Sequence, residues 1–314
     1  MRTTRLLAAL AMSATVVLTA QMPNLDNVEV RALHVQGNVW MLVGAGGNVT
    51  VQVGDEGVLL VDSSLAEMSD RIRAAIGKIS PKPIHYIINT HAHPDHVGGN
   101  EKLAKSTGDF LEPAQVQILS HENVLNRMSA PTGQQPAYPS AAWPTDTYFT
   151  KQKEVFFNNE PIILLHQAAA HTDGDTIVFF RRSDVVSTGD LFQTTSFPFI
   201  DTARGGTLGG IIAALNNILD ITIPRDKQEG GTYVIPGHGR LCDEHDVLEY
   251  RDMLTIIRDR VQAGVAKGLS LQQVKAARPT LDYDARWGSG GGPQTTEQFI
   301  EKIFDELESK KVRK

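Results

Sequence analysis

The side chains best suited to chemistry lie in one short segment that follows a predicted strand. Residues 89–100 read Asn-Thr-His-Ala-His-Pro-Asp-His-Val-Gly-Gly-Asn. Three histidines and one aspartate occur within six positions, at His91, His93, Asp95 and His96. Neutral imidazole and carboxylate are groups that bind Zn²⁺ well. The segment therefore predicts a metal site where this strand ends.

The spacing of these side chains allows a second metal position beside the first. His91 and His93 are two residues apart, so their side chains can converge, while Asp95 and His96 can face a second position. The alternative is a polar surface turn that happens to be rich in histidine. The chain of 314 residues contains only ten histidines, so the clustering of three of them within six positions disfavours this alternative.

Strands and helices alternate along the rest of the chain, which is typical of an α/β protein. Apolar runs predict strands at 39–43, 49–53, 57–62, 84–88, 116–119, 162–166, 176–180, 185–187 and 232–235. Helical spacing of apolar residues predicts helices at 63–79, 208–219, 246–266, 271–276 and 296–307. We expect the two glycines after the histidine segment, Gly98 and Gly99, to let the backbone turn tightly into a helix.

A proline-rich stretch at residues 126–149 interrupts this alternation and predicts a long loop. Loops of this length inside a compact domain are usually functional or mobile. The stretch contains the aromatic residues Tyr138, Trp143 and Tyr148, and a second aromatic segment lies at residues 197–199. These rings either offer apolar contact surface to a substrate or only pack the loop onto the domain, and the sequence leaves both interpretations open.

The first twenty residues differ from the rest and resemble a secretory signal peptide. Arg2 and Arg5 precede a run of apolar and small residues that is too short to span a bilayer comfortably. Cleavage after residues 1–20 would leave a mature chain that starts near Gln21, which predicts a periplasmic or secreted protein. An N-terminal membrane anchor or a disordered start is the alternative.

The composition fits a soluble globular enzyme and excludes some classes of function. Hydrophobic residues make up 41% and charged residues 21% of the chain, with a net charge of −6. A nucleic-acid-binding surface is normally basic, so no nucleic-acid partner is expected. Cys242 is the only cysteine, so no internal disulfide can form, and we expect it to be a small buried residue.

The segment at residues 89–100 resembles the His-x-His-x-Asp-His signature of the metallo-β-lactamase superfamily. Four further residues resemble the other conserved positions of that family and occur in the same order: Asp62, His171, Asp190 and His238. The resemblance spans about residues 35–240. It implies an α/β fold, namely an αββα sandwich of two mixed β-sheets with helices on the outer faces. Residues 21–314 would form one hydrolase domain with a C-terminal helical extension.

The resemblance also implies a ligand set for two metal ions, two Zn²⁺ in the first instance, although the native metal stays open. The first ion would be held by His91, His93 and His171, and the second by Asp95, His96 and His238, with Asp190 between them. Asp95 and Asp190 are then the candidate catalytic carboxylates, and a hydroxide that bridges the metals would attack the substrate. Asp62 either orients a ligand histidine and its turn or caps the next helix.

An all His/Asp ligand set resembles the thioesterase, lactonase and phosphodiesterase branches of the superfamily. Its β-lactamases often have a cysteine in the second site, where this chain has Asp190. Because glutathione thioesters are cytosolic and export is expected, the favoured activity is hydrolysis of a carbonyl compound such as a β-lactam, lactone or ester. The alternatives are a phosphodiesterase, a thioesterase similar to glyoxalase II, a mononuclear iron dioxygenase and a non-catalytic metal-binding protein.

Partners beyond a small-molecule substrate are not expected, and no stable membrane anchor should remain after signal cleavage. Five histidines have no ligand context of their own. His121 and His166 are the two of these with some chance of lying near the site. The remaining three are expected to be surface or satisfied core residues: His34, His85 and His245. The glycine-rich turn at residues 44–47 lies between two strands, so it does not predict a dinucleotide-binding loop.

Overall fold

Two β-sheets lie face to face at the centre of the molecule, which is a computed structural model. The structure describes residues 25, 27–105, 116–131, 136–227 and 230–312. The predicted signal peptide at residues 1–20 lies outside the described residues. Helices cover the outer face of each sheet, so the layers follow the αββα order that was expected.

The first sheet has its described strands side by side in chain order. They are β1 (Arg31–Gln36), β2 (Val39–Val43), β3 (Val49–Gly54), β4 (Gly57–Val61), β5 (Ile84–Ile88), β6 (Gln117–His121) and β7 (Asp146–Tyr148). Neighbours from β1 to β4 run antiparallel, and those from β4 to β7 run parallel, so the sheet is mixed.

The second sheet has the strand order β13-β12-β11-β10-β9-β8. Its strands are β8 (Gln152–Phe157), β9 (Glu160–Gln167), β10 (Asp175–Phe180), β11 (Val185–Ser187), β12 (Tyr233–Ile235) and β13 (Cys242–Asp243). Only β11 and β12 pair in parallel, and the other described pairs are antiparallel.

The helices are α1 (Ser69–Ile79), α2 (Pro94–Val97), α3 (Asn100–Ala104), α4 (Glu122–Ser129), α5 (Leu208–Ile221), α6 (Glu244–Ala266), α7 (Leu271–Ala276), α8 (Asp284–Trp287) and α9 (Thr296–Val312). Helix α1 packs on the first sheet, while α5, α6 and α9 pack on the second. None of the helices within the described part of the chain is long and apolar enough to cross a membrane.

Three large apolar clusters hold the layers together, and a smaller fourth one includes Ala92 and Val97. The cluster between the sheets includes Met41 from the first sheet with Leu164 and Phe180 from the second, all fully buried. In α1, Ile72 and Ile76 lie one turn apart and are buried against the first sheet, as amphipathic spacing requires. The largest cluster joins the second sheet to the C-terminal helices. The removal of apolar surface from water in these clusters is the main force that stabilises the fold.

Two predictions about local structure were wrong. The helix expected over residues 63–79 begins at Ser69, after a 3₁₀ turn at Ala66–Met68. Asp62 and Ser64 have φ of 65° and 57°, in the left-handed region, so no helix can begin there. The long loop expected over residues 126–149 contains the end of α4, a 3₁₀ turn and β7, with residues 132–135 outside the described part.

Candidate metal centre

The histidine segment connects β5 to α2 at the carboxyl end of the strand. His93 has extended backbone angles and precedes α2, whose first residue is Pro94, a favoured residue at that position. Gly98 and Gly99 lie between α2 and the start of α3 and have helical backbone angles. Their small size is what matters, because a Cβ on Gly99 would lie 2.3 Å from the carbonyl oxygen of Ser63.

The first donor group consists of His91, His93, His171 and Asp190, with their ligand atoms within 4.8 Å of one another. His93 Nδ1 lies 3.1 Å from His91 Nε2 and 2.9 Å from His171 Nε2. Asp190 Oδ2 lies 3.7 Å from His171 Nε2. The three imidazoles are buried, so their nitrogens face one small volume from three sides.

The second donor group consists of Asp95, His96 and His238, whose ligand atoms also lie within 4.8 Å of one another. Asp95 Oδ2 lies 3.2 Å from His238 Nε2 and 3.8 Å from His96 Nε2. Asp190 Oδ1 lies 3.1 Å from His96 Nε2 and 3.4 Å from His238 Nε2. The two oxygens of Asp190 therefore face different donor groups.

Asp62 binds the turn that carries the histidines. Its Oδ1 accepts a hydrogen bond from Thr90 N, and its Oδ2 accepts one from the Thr90 hydroxyl, both at 2.8 Å. Its Oδ2 also lies 2.7 Å from His96 Nδ1, and Thr90 Oγ1 lies 3.0 Å from His91 Nδ1. These contacts favour the orienting role of Asp62 over helix capping, and they leave Nε2 of both histidines to face the site.

The other two histidines of the first group are oriented in the same way. His171 Nδ1 donates to the carbonyl oxygen of Phe199 at 2.6 Å, and His93 Nε2 lies 2.8 Å from Asp201 Oδ2. Arg204 donates to the same Asp201 oxygen at 2.6 Å, which fixes that carboxylate in turn. Each ring thus has one nitrogen held by a neighbour and the other directed into the site, as in metal-binding histidines generally.

The donor chemistry and two orphaned atoms fit a bound divalent metal. Among the described residues, His96 Nε2 and Asp190 Oδ1 are buried without a partner in hydrogen-bond geometry. Buried polar atoms of this kind normally have a partner, and a divalent cation between them would supply it. Imidazole and carboxylate, with no thiolate, suit zinc and other divalent transition metals.

Burial and charge set different protonation states in the two groups. Burial and the neighbouring imidazoles hold the pKa of His91 well below its ordinary value and lower the pKa of His171 to about 4. Burial alone would also lower the pKa of His238, but Asp190 and Asp95 raise it to about 9. His91 and His171 are therefore neutral and ready to bind a metal, while a cation at the second group must displace a proton from His238.

A cavity of about 510 Å³ opens above both donor groups. Its floor includes residues of the donor groups, and its walls come from the segment after Asp190 and from the loop before α9. The described residues that line it are His93, Pro94, Asp95, Asp190, Gln193, Thr195, Ser196, Phe197, Phe199, His238, Ser289, Gly291, Gly292, Pro293 and Gln294. This volume suits a compact organic molecule.

The remaining candidates lie outside the donor groups. His121 and His166 stack on each other with ring centroids 3.6 Å apart. Cys242 is 3% exposed in the apolar cluster, and burial raises the pKa of its thiol, in line with the expected buried residue. Tyr138 and Trp143 of the 126–149 stretch pack against the apolar cluster that includes Ala92 and Val97, and Tyr138 donates to Ala92 O.

A family model described as the metallo-beta-lactamase superfamily matches residues 42–242 of the 314. The chain belongs to this superfamily. The match includes every residue of the two donor groups and ends where β13 begins. The C-terminal helices from α6 onward lie beyond the part that the superfamily model matches.

Two curated proteins are similar to this chain in sequence. The α-subunit of 2,4-dinitroanisole O-demethylase from Nocardioides sp. (strain JS1661) is 32% identical over 170 residues, covering 51% of this chain and 47% of that relative. The linear primary-alkylsulfatase from Pseudomonas sp. (strain ATCC 19151) is 32% identical over 256 residues, covering 68% and 46%. The chain thus spans about half the length of these relatives.

Solved structures share the fold. A metallo-β-lactamase from Pontibacter korlensis superposes with a TM-score of 0.57 at 15% sequence identity, covering 72% of this chain and 99% of that one. At this identity the likeness establishes the metallo-β-lactamase fold alone. The match to the superfamily model and the two donor groups show a member of a metallohydrolase superfamily with a candidate metal site.

Three contributors to the site were missed by sequence reasoning. Asp201 and Arg204 form the pair that holds His93, and the backbone carbonyl of Phe199 holds His171. A backbone carbonyl has no side-chain signal in a sequence. Asp201 had one weak signal, an acidic residue directly after the aromatic segment 197–199, but nothing in its spacing connects it to the histidines.

Proposed function

We propose that this superfamily member holds two divalent cations, zinc in the first instance, and hydrolyses a carbonyl compound such as an ester, a lactone or a β-lactam. The observation that carries the proposal is the position of Asp190. Its two oxygens face different donor groups, 3.1 Å from His96 and 3.7 Å from His171, at the floor of the cavity. That arrangement suits a pair of cations better than one.

The residues supply binding and orientation for this chemistry. His91, His93 and His171 would hold the first cation, and Asp95, His96 and His238 the second, with Asp190 shared. When bound, two such cations lower the pKa of a water molecule toward neutrality and polarise the oxygen of the substrate. Asp62 keeps His96 Nε2 turned into the site, and Phe199 O does the same for His171 Nε2. Phe197 and Phe199 line the cavity and would reduce the access of water to the reacting group.

A second candidate function is the hydrolysis of a sulfate ester. The observation that favours it is the 32% identity with the linear primary-alkylsulfatase over 68% of this chain. Phosphodiester hydrolysis and thioester hydrolysis use the same kind of site and are separate arms of the test. A mononuclear iron dioxygenase has fewer ligands, and the second donor group argues against it.

Metal analysis combined with a hydrolysis panel tests the proposal. The purified protein is expected to contain two zinc ions per chain and to lose hydrolytic activity when a chelator removes them. The panel consists of a chromogenic cephalosporin, lactones, aryl esters, an alkyl sulfate, a thioester and a phosphodiester. One iron per chain with consumption of oxygen would instead support the dioxygenase and refute the hydrolase.

We also propose that the protein is exported and that the mature chain starts near Gln21. The support is the pattern of residues 1–20, with two arginines before an apolar run that ends in small residues. Mass spectrometry of the protein from a periplasmic or secreted fraction is expected to find an N-terminus within a few residues of Gln21. Protein in that fraction that still carries Met1 would refute the cleavage.

A further inference from the structure

Two aromatic rings and a set of uncharged polar side chains form the wall of the cavity above the donor groups. Phe197 and Phe199 supply the rings. Gln193, Thr195 and Ser289 supply polar side chains of the wall. The non-reacting part of a substrate must contact this wall, because the floor of the cavity is formed by the donor groups. The chemistry of the wall therefore selects the substrate.

The polar side chains of the wall bond to one another and to the backbone. The Thr195 hydroxyl donates to Gln193 Oε1 at 3.2 Å, and the Gln193 amide donates to Phe197 O at 3.0 Å. The Ser289 hydroxyl donates to Gly291 O at 2.6 Å. Because the donor hydrogens of these side chains already have partners, an acceptor group of a ligand gains little from them, and contact with the apolar surfaces contributes more.

The wall also has no cationic side chain. No lysine or arginine lines the cavity in the part of the chain that the structure describes. The internal segments outside that part, residues 106–115, 132–135 and 228–229, contain neither residue type in the sequence. Among the described residues, an anionic group on the substrate therefore has no lysine or arginine to pair with along the cavity wall.

The cations that lie just behind the wall are bound to other groups. Arg204 donates to Asp201 Oδ2 at 2.6 Å. Lys302 Nζ donates to the carbonyl oxygen of Ile200 at 2.6 Å. The same nitrogen lies 4.5 Å from the centre of the Phe199 ring, which forms part of the wall. Both charges thus stabilise the wall itself, and Phe199 stands between Lys302 and any ligand that packs on the opposite face of the ring.

We propose that the substrate is an uncharged ester or lactone whose aryl or alkyl portion packs on Phe197 and Phe199. A carboxylate, sulfate or phosphate against this wall would lose its hydration without a cationic partner, which is costly. The inference rests on the proposed hydrolase function and narrows its substrate class. In the reaction, the oxygen of water bonds to the acyl carbon, the acyl C–O bond breaks, and the alcohol leaves with a proton from the water.

Matched esters test the inference on the metal-loaded protein. The 4-nitrophenyl monoester of glutaric acid carries a free carboxylate, and its methyl ester has nearly the same shape without the charge. We expect kcat/KM for the uncharged ester to exceed that for the anionic one by at least ~10-fold, a factor that corresponds to about 1.4 kcal/mol. Equal values, or a preference for the anionic ester, would overturn the inference.

Cations at the floor attract anions too, so a substitution in the wall must separate the two effects. Thr195 is an exposed residue of the wall, and Thr195→Lys places a cation there while Thr195→Met does not. Both variants lose the same hydrogen bond to Gln193 and keep the same floor. We expect Thr195→Lys to raise kcat/KM for the anionic ester relative to the uncharged one by about 5-fold over Thr195→Met. No difference between the variants would refute the role of wall charge.

A binding measurement separates this inference from the proposed function. Isothermal titration with 4-phenyl-2-butanone, an uncharged ketone that resembles an ester but cannot be hydrolysed, and with its para-carboxylate does not depend on turnover. Tighter binding of the uncharged ketone, with no hydrolysis of any ester, would support the inference on the ligand and refute the hydrolase. Tighter binding of the carboxylate to Thr195→Met would refute the substrate class even if esters are cleaved.

Discussion

Asp190 is the residue whose carboxylate lies next to histidines of both donor groups. It follows β11 in a 3₁₀ turn, and its carboxylate is close to His96 and His238 on one side and to His171 on the other. Burial alone would raise the pKa of this carboxyl, but the histidines His96 and His238 hold it well below its ordinary range. The group is therefore an anion over the whole physiological range of pH.

Asp190→Asn keeps the size of the side chain and removes its charge. Without the anion, two cations separated by the roughly 3.5–4 Å typical of such sites repel each other more strongly. We expect the second cation to bind more weakly while the first remains. Turnover should fall by at least ~100-fold, about 2.7 kcal/mol of transition-state stabilisation. Metal content and kcat of the purified variant provide the check, and excess zinc should restore part of the loss.

The matched control for this variant is Asp146→Asn, which removes a carboxylate that pairs with Lys153 at the surface. This control is expected to keep both cations and its turnover. If Asp190→Asn kept two cations and near wild-type turnover as well, Asp190 would be an ordinary residue of its turn, and the shared position would be wrong.

His238→Ala removes one donor of the second group alone. The coordination gap that remains is filled poorly by water, so we expect the variant to bind one cation per chain and to lose most of its turnover. His245→Ala is the control, because the His245 side chain is 72% exposed and lies beside Glu249, away from both donor groups. Metal analysis of both variants is the measurement. Two cations in His238→Ala would show that the second position lies elsewhere.

The structure brings together the seven residues that were named from the sequence, but the groups that support them were not predicted. Histidines and carboxylates carry their chemistry in their residue type, and the tight spacing from His91 to His96 reveals that they act together. The support of His171 is a backbone carbonyl, at Phe199, and that of His93 is Asp201, 108 residues away in the chain. Only the packing of the second sheet against the histidine turn brings these groups into contact.

At the scale of elements, the C-terminal helices hold the segment that carries Phe199. Gln294, just before α9, donates from its amide to Pro198 O at 2.8 Å and accepts from Ile200 N at 3.3 Å. These two bonds bracket Phe199, whose carbonyl oxygen holds His171. The part of the chain beyond the superfamily match therefore reaches the first donor group through the side chains of Gln294 and Lys302.

Gln294→Ala breaks both bonds and leaves a buried carbonyl and a buried amide without that partner. We expect the free energy of unfolding to fall by about 1–3 kcal/mol, and the first cation to dissociate faster because Phe199 O holds His171 less firmly. Chemical denaturation and the rate of zinc transfer to a chromogenic chelator are the two measurements. The control is Gln272→Ala on the exposed surface of α7. A variant that loses stability but releases zinc at the wild-type rate would limit Gln294 to a structural role.

The stacked pair at the end of β6 predicts a dependence of stability on pH. Burial, followed by the neighbouring His166, lowers the pKa of His121 to about 4. His121 therefore stays neutral in the folded protein while the unfolded chain takes up a proton below about pH 6.5. The unfolded state binds more protons between these values, so stability falls as the pH decreases from about 6.5 to about 4.

His121→Asn removes this titration and keeps a side chain that can accept the bond from Asn123 N at the start of α4. We expect wild-type protein to lose more stability than the variant between pH 7.5 and pH 5. Urea denaturation of both proteins at each pH, with a chelator present, measures the difference. Parallel losses in the two proteins would mean that His121 titrates at its ordinary pKa in the fold.

The strands and helices that sequence reasoning located best are those with strong patterns. The bounds of β11 and α7 were predicted to the residue, and the prediction for α6 was short by only two residues at its N-terminus. The predicted beginning of α1 was wrong because the Asp62 carboxylate binds Thr90 and His96 in the histidine turn and does not cap the helix. The long loop predicted over residues 126–149 was wrong. The prolines of this stretch suggested a loop, although β7 needs only three residues to pair with β6.

At the scale of the whole molecule, the donor groups lie where the two sheets meet. The histidine turn follows β5 of the first sheet, while His171, Asp190 and His238 follow β9, β11 and β12 of the second. Each donor group thus combines residues from both halves of the sandwich. A cation bound at either position would connect the two sheets directly, in addition to the apolar cluster between them.

Removal of the metal should therefore lower the stability of the whole fold. A ligand that binds only the folded state adds about 4.1 kcal/mol when its free concentration is 1,000 times its Kd. For a domain of this size each kcal/mol corresponds to a shift of roughly 2 °C in Tm, so one site contributes about 8 °C.

We expect the chelated protein to remain folded, because protons on His96 and His238 partly offset the carboxylates of Asp95 and Asp190. Calorimetry of zinc-loaded and chelated protein should show a Tm difference of at least about 8 °C, and zinc should restore it. Asp190→Asn should show a smaller difference because it retains only the first cation. An unchanged Tm after verified removal of both cations would mean that the apolar cluster alone holds the sheets together.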